Sequence, residues 1–261
     1  PGAPVVPPVE LDDGAGHTVR VIGTIDRVDA LRAGDKTYLR VVDYKTGSKD
    51  FSLKEVYWGQ DCQMLLYLFT LVRNGQAVFP CAAAAGVEYL LADPLPRAEA
   101  RPGSAGEGEQ TEAGARPPVY ALQGLLLDDP AVYGAMDTRA TGCYVPLNYG
   151  KNGKPTAQSA GKVLASPEKL ANISRHIDRL LTRMAQNLYR GDIAAAPLCP
   201  PGGTRCAWCD YRAVCLHKDG LDERVPALPE HLFETDPDAP EGQAPQPTSP
   251  QKEGTDHGTN R

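Results

Sequence analysis

The stretch TVRVIGTIDRVDALRAGDKTYLRVVDYKTG, residues 18–47, has the pattern of a β-hairpin. Two runs rich in β-branched and aromatic residues, TVRVIGTIDRVDAL and TYLRVVDYKTG, predict strands, and the glycine-containing RAGD segment predicts the turn between them. Because strand side chains alternate between the two faces of a sheet, Asp43 and Lys45 share one face of the second strand. Antiparallel pairing can set Asp26, in the middle of the first strand, beside Asp43. The hairpin therefore predicts two carboxylates and a lysine close together.

These residues admit two interpretations. A carboxylate beside an ammonium at a strand end is commonly a surface ion pair, and Asp26 can be neutralised by Arg27 or another base. The second interpretation is catalytic, because two facing carboxylates repel unless a cation lies between them. Oxygen ligands suit Mg²⁺ or Mn²⁺. On a regular strand Arg27 points away from Asp26, which favours the metal site.

A helix is predicted directly after the hairpin. Ser52 and Glu55 have the spacing of a capping box, and Asn74-Gly75 marks the predicted end. The helix carries Gln63 and Tyr67 at i, i+4, and hence on one face. An amide and a phenol there can orient a phosphodiester, although ordinary helix packing explains the same spacing.

Further elements follow along the chain. AAAAGVEYLLADP (residues 82–94) predicts a buried strand, and GLLLDD (124–129) and CYVPLNYGKNGK (143–154) predict more strand, the last with an Asn152-Gly153 turn. A second long helix is predicted to begin at Ser166-Pro167 and to end at Gly191. His176 on this helix is expected to face solvent. The apolar stripe that the helix is expected to bury comprises Leu170, Ile173, Ile177, Leu181, Met184 and Leu188.

Composition and charge limit the classes of protein to which the chain can belong. The chain has 261 residues, of which 41% are apolar, enough for a substantial core. A low-complexity insertion at about residues 94–118 and an acidic, proline-rich tail at 218–261 are predicted to be disordered. The tail holds ten acidic and four basic residues, which accounts for the whole net charge of -6. The remaining body is neutral and neither demands nor excludes a nucleic-acid partner.

No apolar run reaches the ~20 residues that span a bilayer, and the amino terminus has no signal pattern. These features predict a cytoplasmic, nucleoid-associated protein with no membrane partner. The seven cysteines are an odd number, and three of them lie within CAWCDYRAVC, residues 206–215. This crowding favours metal ligation over disulfides. Spacing alone leaves zinc and an iron-sulfur cluster equally open.

Several of these motifs together resemble a known family. GTIDRVD, VVDYKTG, QMLLYL and CAWCDYRAVC, in this order, resemble the RecB-like nuclease domain of the PD-(D/E)XK superfamily. DFSLKEVYWGQDCQMLLYL (50–68) and GDIAAAPLCPPGGTRCAWCDYRAVC (191–215) resemble in particular the AddB-type subunit of bacterial helicase-nucleases that process double-strand breaks. The resemblance implies an α/β, restriction-endonuclease-like fold, with a mixed central sheet flanked by helices and a carboxyl-terminal iron-sulfur cysteine cluster.

The resemblance also implies roles for the hairpin residues. Asp26 and Asp43 are expected to be metal ligands, with the backbone carbonyl of Tyr44 as a third ligand. Lys45 is expected to stabilise the nucleophile or the transition state. Gln63 and Tyr67 correspond to the family's QxxxY helix motif near the DNA strand.

Cys206, Cys209 and Cys215 are expected to be three ligands of a [4Fe-4S] cluster, with Cys199 as a less favoured substitute for the fourth. In this family the fourth cysteine and a further acidic or His active-site residue lie upstream of the core, and no convincing match precedes Thr18. We therefore expect residues 1–17 to be a short lead-in segment from which that upstream helix is missing, and residues 18–217 to be the nuclease domain.

The expected function is a Mg²⁺-dependent exonuclease that acts on single-stranded DNA from duplex ends, beside an AddA-type helicase-nuclease subunit, in double-strand break repair. Two alternatives stay open. One is a catalytically incomplete DNA-end-binding or scaffold module stapled by the metal-cysteine cluster. The other is a zinc-bearing DNA-binding module. Because Asp26, Asp43 and Lys45 are all present, the sequence favours the enzyme.

Overall fold

A computed structural model of the chain describes residues 6–47, 50–94, 120–200, 203–218, 220, 223–224 and 227–236. Apart from Pro94, the predicted low-complexity insertion lies outside these residues. The strands are β1 Val9–Asp12, β2 Thr18–Val21, β3 Arg27–Ala33, β4 Lys36–Lys45, β5 Ala82–Pro94, β6 Tyr120–Leu127 and β7 Leu164–Ala165. The α-helices are α1 Leu53–Tyr57, α2 Gln63–Asn74, α3 Pro130–Met136, α4 Ala157–Val163, α5 Pro167–Tyr189 and α6 Arg212–Cys215, and a 3-10 helix spans Arg205–Trp208.

Five strands form one mixed sheet in the order β3-β4-β5-β6-β7. The β3–β4 and β5–β6 pairs are antiparallel, whereas β4–β5 and β6–β7 are parallel. Helices α2 and α5 pack on one face of this sheet and bury its central strands. The main core comprises, among others, Leu39, Val41, Met64, Leu65, Leu68, Val87, Leu125, Ile173 and Ile177. This architecture confirms the predicted α/β fold with a mixed sheet flanked by helices.

The first predicted strand is interrupted. β2 pairs with β1 in a separate two-stranded sheet, and β3 begins only at Arg27, where it pairs with β4. Asp26 therefore lies in a bend before β3, and its predicted place in the middle of a strand is wrong. The chain changes sheets at Gly23, whose missing side chain leaves room for the ring of Tyr67.

The predicted first helix is divided into α1 and α2. In the turn between them Gly59 and Asp61 have positive φ angles of 80° and 55°, which no right-handed helix accommodates. The side chain of Ser52 makes no capping hydrogen bond, so the predicted capping box is also wrong. The division makes Gln63 the first residue of α2.

The start of α5 is as predicted, because Ser166 Oγ accepts a hydrogen bond from the amide of Lys169 at 3.1 Å. The predicted apolar stripe holds as far as Leu181, which packs against the core, whereas Met184 and Leu188 are 51% and 69% exposed. The last turns of α5 pack against the β1–β2 hairpin through polar contacts. Gln186 donates a hydrogen bond to Asp13 O, and the Tyr189 ring stacks on His17.

His176 is buried at 4% exposure, which corrects the prediction that it faces solvent. Its ring stacks on Tyr57, and its Nε2 lies 2.9 Å from Tyr57 O. The backbone carbonyl of Tyr57 can only accept, so the imidazole donates there. His176 thus ties α5 to the end of α1.

Residues 143–154 form no strand of the sheet, so that prediction is wrong. The segment makes a single bridge between Tyr149 and Pro155 around the predicted Asn152-Gly153 turn. It contributes Val145 and Leu147 to a small second core with Leu126 and Val163. Just before this segment, Asp137 accepts hydrogen bonds from the amides of Thr141 and Gly142.

The packed part of the chain continues beyond the predicted domain end at residue 217. Phe233 is fully buried in the main core, and its carbonyl accepts a hydrogen bond from Asn172. Asp236 forms ion pairs with Arg175 and Arg179 of α5. The predicted boundary is therefore too early, because an apolar residue within the acidic tail packs on the long helix.

None of the helices within the described ranges is both long and apolar enough to cross a lipid bilayer.

Candidate active site

Asp43 and Lys45 lie at the end of β4, on the face that Leu39 and Val41 bury in the core. Asp43 is 8% exposed, whereas Lys45 reaches the surface. Lys45 Nζ is 2.6 Å from Asp43 Oδ2. This oxygen is buried and, apart from the contact with the ammonium, makes no hydrogen bond to a described residue. The end of β4 thus holds a carboxylate oxygen that can accept a further polar or cationic partner.

Asp26 reaches the same end of β4 from the bend before β3. The β3–β4 register pairs Arg27 with Val42, and the amide of Tyr44, two residues after Val42, donates a hydrogen bond to Asp26 Oδ2 at 3.3 Å. Arg27 does not neutralise this carboxylate, because its guanidinium bonds Asp29 at 2.7 Å and 3.1 Å. The structure therefore places Asp26 beside the Asp43–Tyr44 strand segment.

Gln63 and Tyr67 face each other on the first turn of α2. Gln63 Nε2 donates a hydrogen bond to Tyr67 Oη at 3.0 Å, and Gln63 is exposed. The Tyr67 ring lies against Gly23, where a Cβ would come within 2.6 Å of Tyr67 Cε1 and Oη. The QxxxY pair is thereby held against the segment that leads into Asp26. Gly23 was within the quoted motif, but its packing role could not be inferred from strand periodicity.

Two further residues beside this site escaped the sequence analysis. Tyr89 of β5 lies directly opposite Asp43 in the parallel register, and its hydroxyl donates to Asp61 Oδ1 at 2.8 Å. Burial, followed by this hydrogen bond and the nearby carboxylates of Asp61 and Asp43, raises the pKa of Tyr89 above its usual value. Lys45 Nζ stands 5.6 Å from the centre of the Tyr89 ring. Only the β4–β5 register could have revealed this neighbour.

The opposite face of β4 carries a second charged cluster. Arg40, 8% exposed, binds Asp29 at 2.6 Å, Glu88 at 3.2 Å and the carbonyl of Tyr144 at 2.8 Å. Burial raises the pKa of Glu88 to about 7, an effect that Arg40 partly opposes. Burial also acts to raise the pKa of Asp29, but hydrogen bonds from Arg27 and Arg40 outweigh it and hold that pKa below its usual value.

The donor set at the end of β4 fits a hard divalent cation. Asp26 and Asp43 supply two carboxylates, one of them with a buried oxygen that makes no hydrogen bond to a described residue, and Mg²⁺ commonly takes one or two carboxylates together with waters or phosphate oxygens. Across the described ranges, no group of three or more His, Cys, Asp or Glu side chains is arranged to hold a metal. The structure therefore shows a minimal acidic pair at this end of the sheet.

The three clustered cysteines are not brought together as a metal site among the described residues. Cys206 is half-buried in the 3-10 helix, while Cys209 and Cys215 are exposed. Cys206 and Cys199 line one cavity of about 360 Å³, together with Arg212 and Glu223. Cys62, Cys81 and Cys143 lie elsewhere; Cys62 is half-buried, and the other two are exposed.

Comparison with known proteins gives a consistent result. A family model described as the PD-(D/E)XK nuclease superfamily matches residues 3–216. A protein from Symbiobacterium thermophilum, named as a subunit of an ATP-dependent helicase/deoxyribonuclease, is 35% identical over 220 residues, covering 80% of this chain and 18% of the relative. Proteins of the same name from Clostridium novyi and Acetivibrio thermocellus are 32% and 31% identical over 213 and 230 residues, covering 80% and 84% of the chain. The chain spans about a fifth of the length of these relatives.

Proposed function

Because the chain belongs to the PD-(D/E)XK nuclease superfamily, we propose that it is the nuclease domain of a bacterial helicase-nuclease and hydrolyses phosphodiester bonds in DNA. The observation that carries this proposal is the convergence of Asp26, Asp43 and Lys45 at the open end of β4. We expect the substrate to be single-stranded DNA from duplex ends, with an AddA-type subunit supplying the strand. Resection of chromosomal breaks for repair in the cytoplasm is the corresponding biological role.

Asp26, Asp43 and the backbone carbonyl of Tyr44 are the proposed ligands of Mg²⁺ or Mn²⁺. Such a cation, when bound, lowers the pKa of a water molecule and counters charge on the phosphate. Asp43 is suited to this role because its Oδ2 is buried and faces an ammonium without a hydrogen bond to a described residue.

Lys45 is the proposed stabiliser of charge on the reacting phosphate. Its ammonium is held beside Asp43 and remains about one third exposed, so a phosphate oxygen can approach it from solvent. Gln63 presents an exposed amide, and Tyr67 Oη accepts its hydrogen bond. A phosphodiester that enters between α2 and the end of β4 can be oriented by both groups, with the Tyr67 ring held in place by Gly23.

The proposed function is tested by Asp43→Ala in the natural full-length protein with its partner subunit. The assay is Mg²⁺-dependent cleavage of a labelled single-stranded oligonucleotide. Asp35→Ala is a matched control, because Asp35 is an exposed aspartate in the turn at the far end of the same hairpin. We expect cleavage to be lost in Asp43→Ala and kept in Asp35→Ala. Equal cleavage by both would favour the non-catalytic DNA-end-binding module.

We further propose that Cys206, Cys209 and Cys215 ligate a [4Fe-4S] cluster. Support comes from their spacing, from the exposed thiols of Cys209 and Cys215, and from the family resemblance. The test measures iron and acid-labile sulfide in the anaerobically purified full-length protein. Serine variants of Cys206, Cys209 and Cys215 are compared with the control variant Cys81→Ser. Loss of iron and sulfide in these three variants, but not in Cys81→Ser, supports the cluster. Stoichiometric zinc in place of iron would favour the zinc-bearing module.

A further inference from the structure

Tyr89 and Asp61 form a bridge between the two halves of the candidate active site. Asp61 lies in the left-handed turn before α2, two residues ahead of Gln63. Tyr89 lies on β5, opposite Asp43 and on the same face of the sheet. The 2.8 Å hydrogen bond from Tyr89 Oη to Asp61 Oδ1 thus joins the start of the helix to the strand pair that holds Asp43 and Lys45.

We propose that Tyr89 and Asp61 are a positioning pair, which sets the Lys45 ammonium and the Gln63 end of α2 relative to Asp43 during phosphodiester hydrolysis. This inference rests on the nuclease function proposed above. Neither residue is assigned contact with the substrate. Each acts through a neighbour: Tyr89 through Lys45, and Asp61 through the start of α2.

Lys45 needs such support because a lysine side chain is a flexible four-carbon stem with a point charge at its end. Among the described residues, the ammonium contacts the Asp43 carboxylate at 2.6 Å and lies over the Tyr89 ring at 5.6 Å from its centre. The ring is buried, at 2% exposure, and Phe51 packs against it at a tilt. A fixed ring therefore confines the ammonium to the side on which Asp43 lies.

The hydroxyl of Tyr89 is a constant donor to Asp61. A phenol with an ordinary pKa near 10 is protonated at neutral pH, and burial first, and then the Asp61 hydrogen bond, raise the pKa of Tyr89 above that value. Asp61 in turn has a φ of 55°, a conformation that is rare for a residue with a side chain, and its carboxylate accepts the hydrogen bond from Tyr89 on the sheet. Simple packing would require neither the hydroxyl nor the carboxylate, because phenylalanine fills nearly the same space.

The test uses Tyr89→Phe, Asp61→Ala, Asp61→Asn and the double variant Tyr89→Phe/Asp61→Ala in the natural full-length protein. Three quantities are measured: kcat for Mg²⁺-dependent cleavage of a single-stranded oligonucleotide, affinity for the same oligonucleotide in EDTA, and Tm. Asp178→Ala is the matched control, since Asp178 binds Arg73 at 2.7 Å and ties the other end of α2 to α5.

We expect Tyr89→Phe and Asp61→Ala each to lower kcat by about 10-fold to 100-fold, because small misplacements of reacting groups cost that much. Affinity in EDTA should stay within about twofold, since no substrate contact is removed. The double variant should be no worse than either single variant, because both remove the same bond. Asp61→Asn should recover most of the kcat, since its amide oxygen still accepts from Tyr89. Asp178→Ala should lower Tm and leave kcat unchanged.

The outcomes separate the two proposals. If Asp43→Ala cleaves like the wild type in the same assay, the nuclease function and the positioning pair are both overturned. If Asp43→Ala is inactive while Tyr89→Phe and Asp61→Ala keep the wild-type kcat, only the positioning pair is overturned. The same conclusion follows if Asp178→Ala lowers kcat as much as Tyr89→Phe and Asp61→Ala do, or if Asp61→Asn behaves like Asp61→Ala. Should one variant not fold, the remaining Asp61 or Tyr89 variant decides.

Discussion

Both faces of strand β4 carry charged side chains, but the charged groups on the two faces differ in how many polar partners they have. On one face Arg40 binds Asp29, Glu88 and a backbone carbonyl, all within 3.2 Å. On the other face Asp43 has one ammonium beside it and a buried oxygen with no hydrogen bond to a described residue. Charged residues lie on both faces of the same ten-residue strand, Arg40 on one face and Asp43 and Lys45 on the other, so charge in the sequence does not tell which face is structural.

The difference lies in how completely each charge is satisfied. A buried charge whose donors and acceptors are all engaged serves the fold, because opening any one contact leaves an uncompensated partner. A carboxylate with unused capacity at an open sheet end has something left to bind. The Arg40 face is therefore structural and the Asp43 face is the one suited to chemistry, and variants on the two faces should fail in different ways.

The largest expected effect is on stability and comes from Arg40→Met. The substitution leaves Asp29 and Glu88 without their shared guanidinium, and removing one partner of a buried ion pair costs about 3–5 kcal/mol. Chemical denaturation should show this loss in the free energy of unfolding. Cleavage per folded molecule should be unchanged. If Arg40→Met instead abolished cleavage at full stability, the assignment of the two faces would be reversed.

Asp43→Asn should produce the opposite pattern. Removing the charge from a group that supports the transition state lowers kcat by about 100-fold or more. The unfolding free energy should change by less than about 1 kcal/mol, because the partially exposed Lys45 can turn to water. The oligonucleotide cleavage assay and a denaturation curve on the same preparation test both statements. A stability loss as large as that of Arg40→Met would show that Asp43 is a structural residue.

Glu88→Gln sharpens the comparison through its pH dependence. The pKa of Glu88 in the folded protein is about 7, raised from an ordinary value of 4.5 by burial. The folded state therefore holds this proton more tightly than the unfolded chain, and stability falls as pH rises from about 4.5 to about 7. Glutamine abolishes the titration. Between pH 5 and pH 8 the wild type should lose about 2 kcal/mol more than the variant.

The matching measurement is the free energy of unfolding of both proteins across this pH range. Asp29 does not interfere, because the hydrogen bonds from Arg27 and Arg40 outweigh its burial and move its pKa further away from this pH range. Parallel curves for the wild type and Glu88→Gln would mean that Glu88 is charged throughout, and that Arg40 compensates its burial fully.

Sequence patterns predicted the strands and helix starts that depend on residues close together in the chain. β4, β5 and β6 followed from runs of β-branched and apolar residues, and the start of α5 followed from Ser166 as an N-cap. The pairing of β3 with β4 followed from a short turn. For this reason Asp26, Asp43 and Lys45 could be placed near one another before the structure was known.

Features that depend on distant residues could not be predicted. The left-handed Asp61 lies in the turn between α1 and α2, but its bond to Tyr89 joins residues 28 positions apart. The Arg40–Glu88 contact depends on a bulge that shifts the β4–β5 register between Leu39 and Arg40. Phe233 looked like part of a polar tail because nothing near it in sequence reveals the core that it joins. Tertiary register and packing decided each of these cases.

The smallest effect is expected from Gly23→Ala, which tests whether the position of the Tyr67 ring matters for cleavage. The added methyl would lie 2.6 Å from Tyr67 Cε1 and Oη, so the ring must move. Because the contact is with the far end of one side chain, the movement should cost less than about 1.5 kcal/mol of stability. It should displace Tyr67 Oη from Gln63 Nε2, now 3.0 Å away, and lower kcat by about 10-fold. Gly134→Ala, which has open space around it, is the control for the extra methyl group. Wild-type kcat in Gly23→Ala would show that the position of the Tyr67 ring does not matter, and that chemistry on this face is confined to the end of β4.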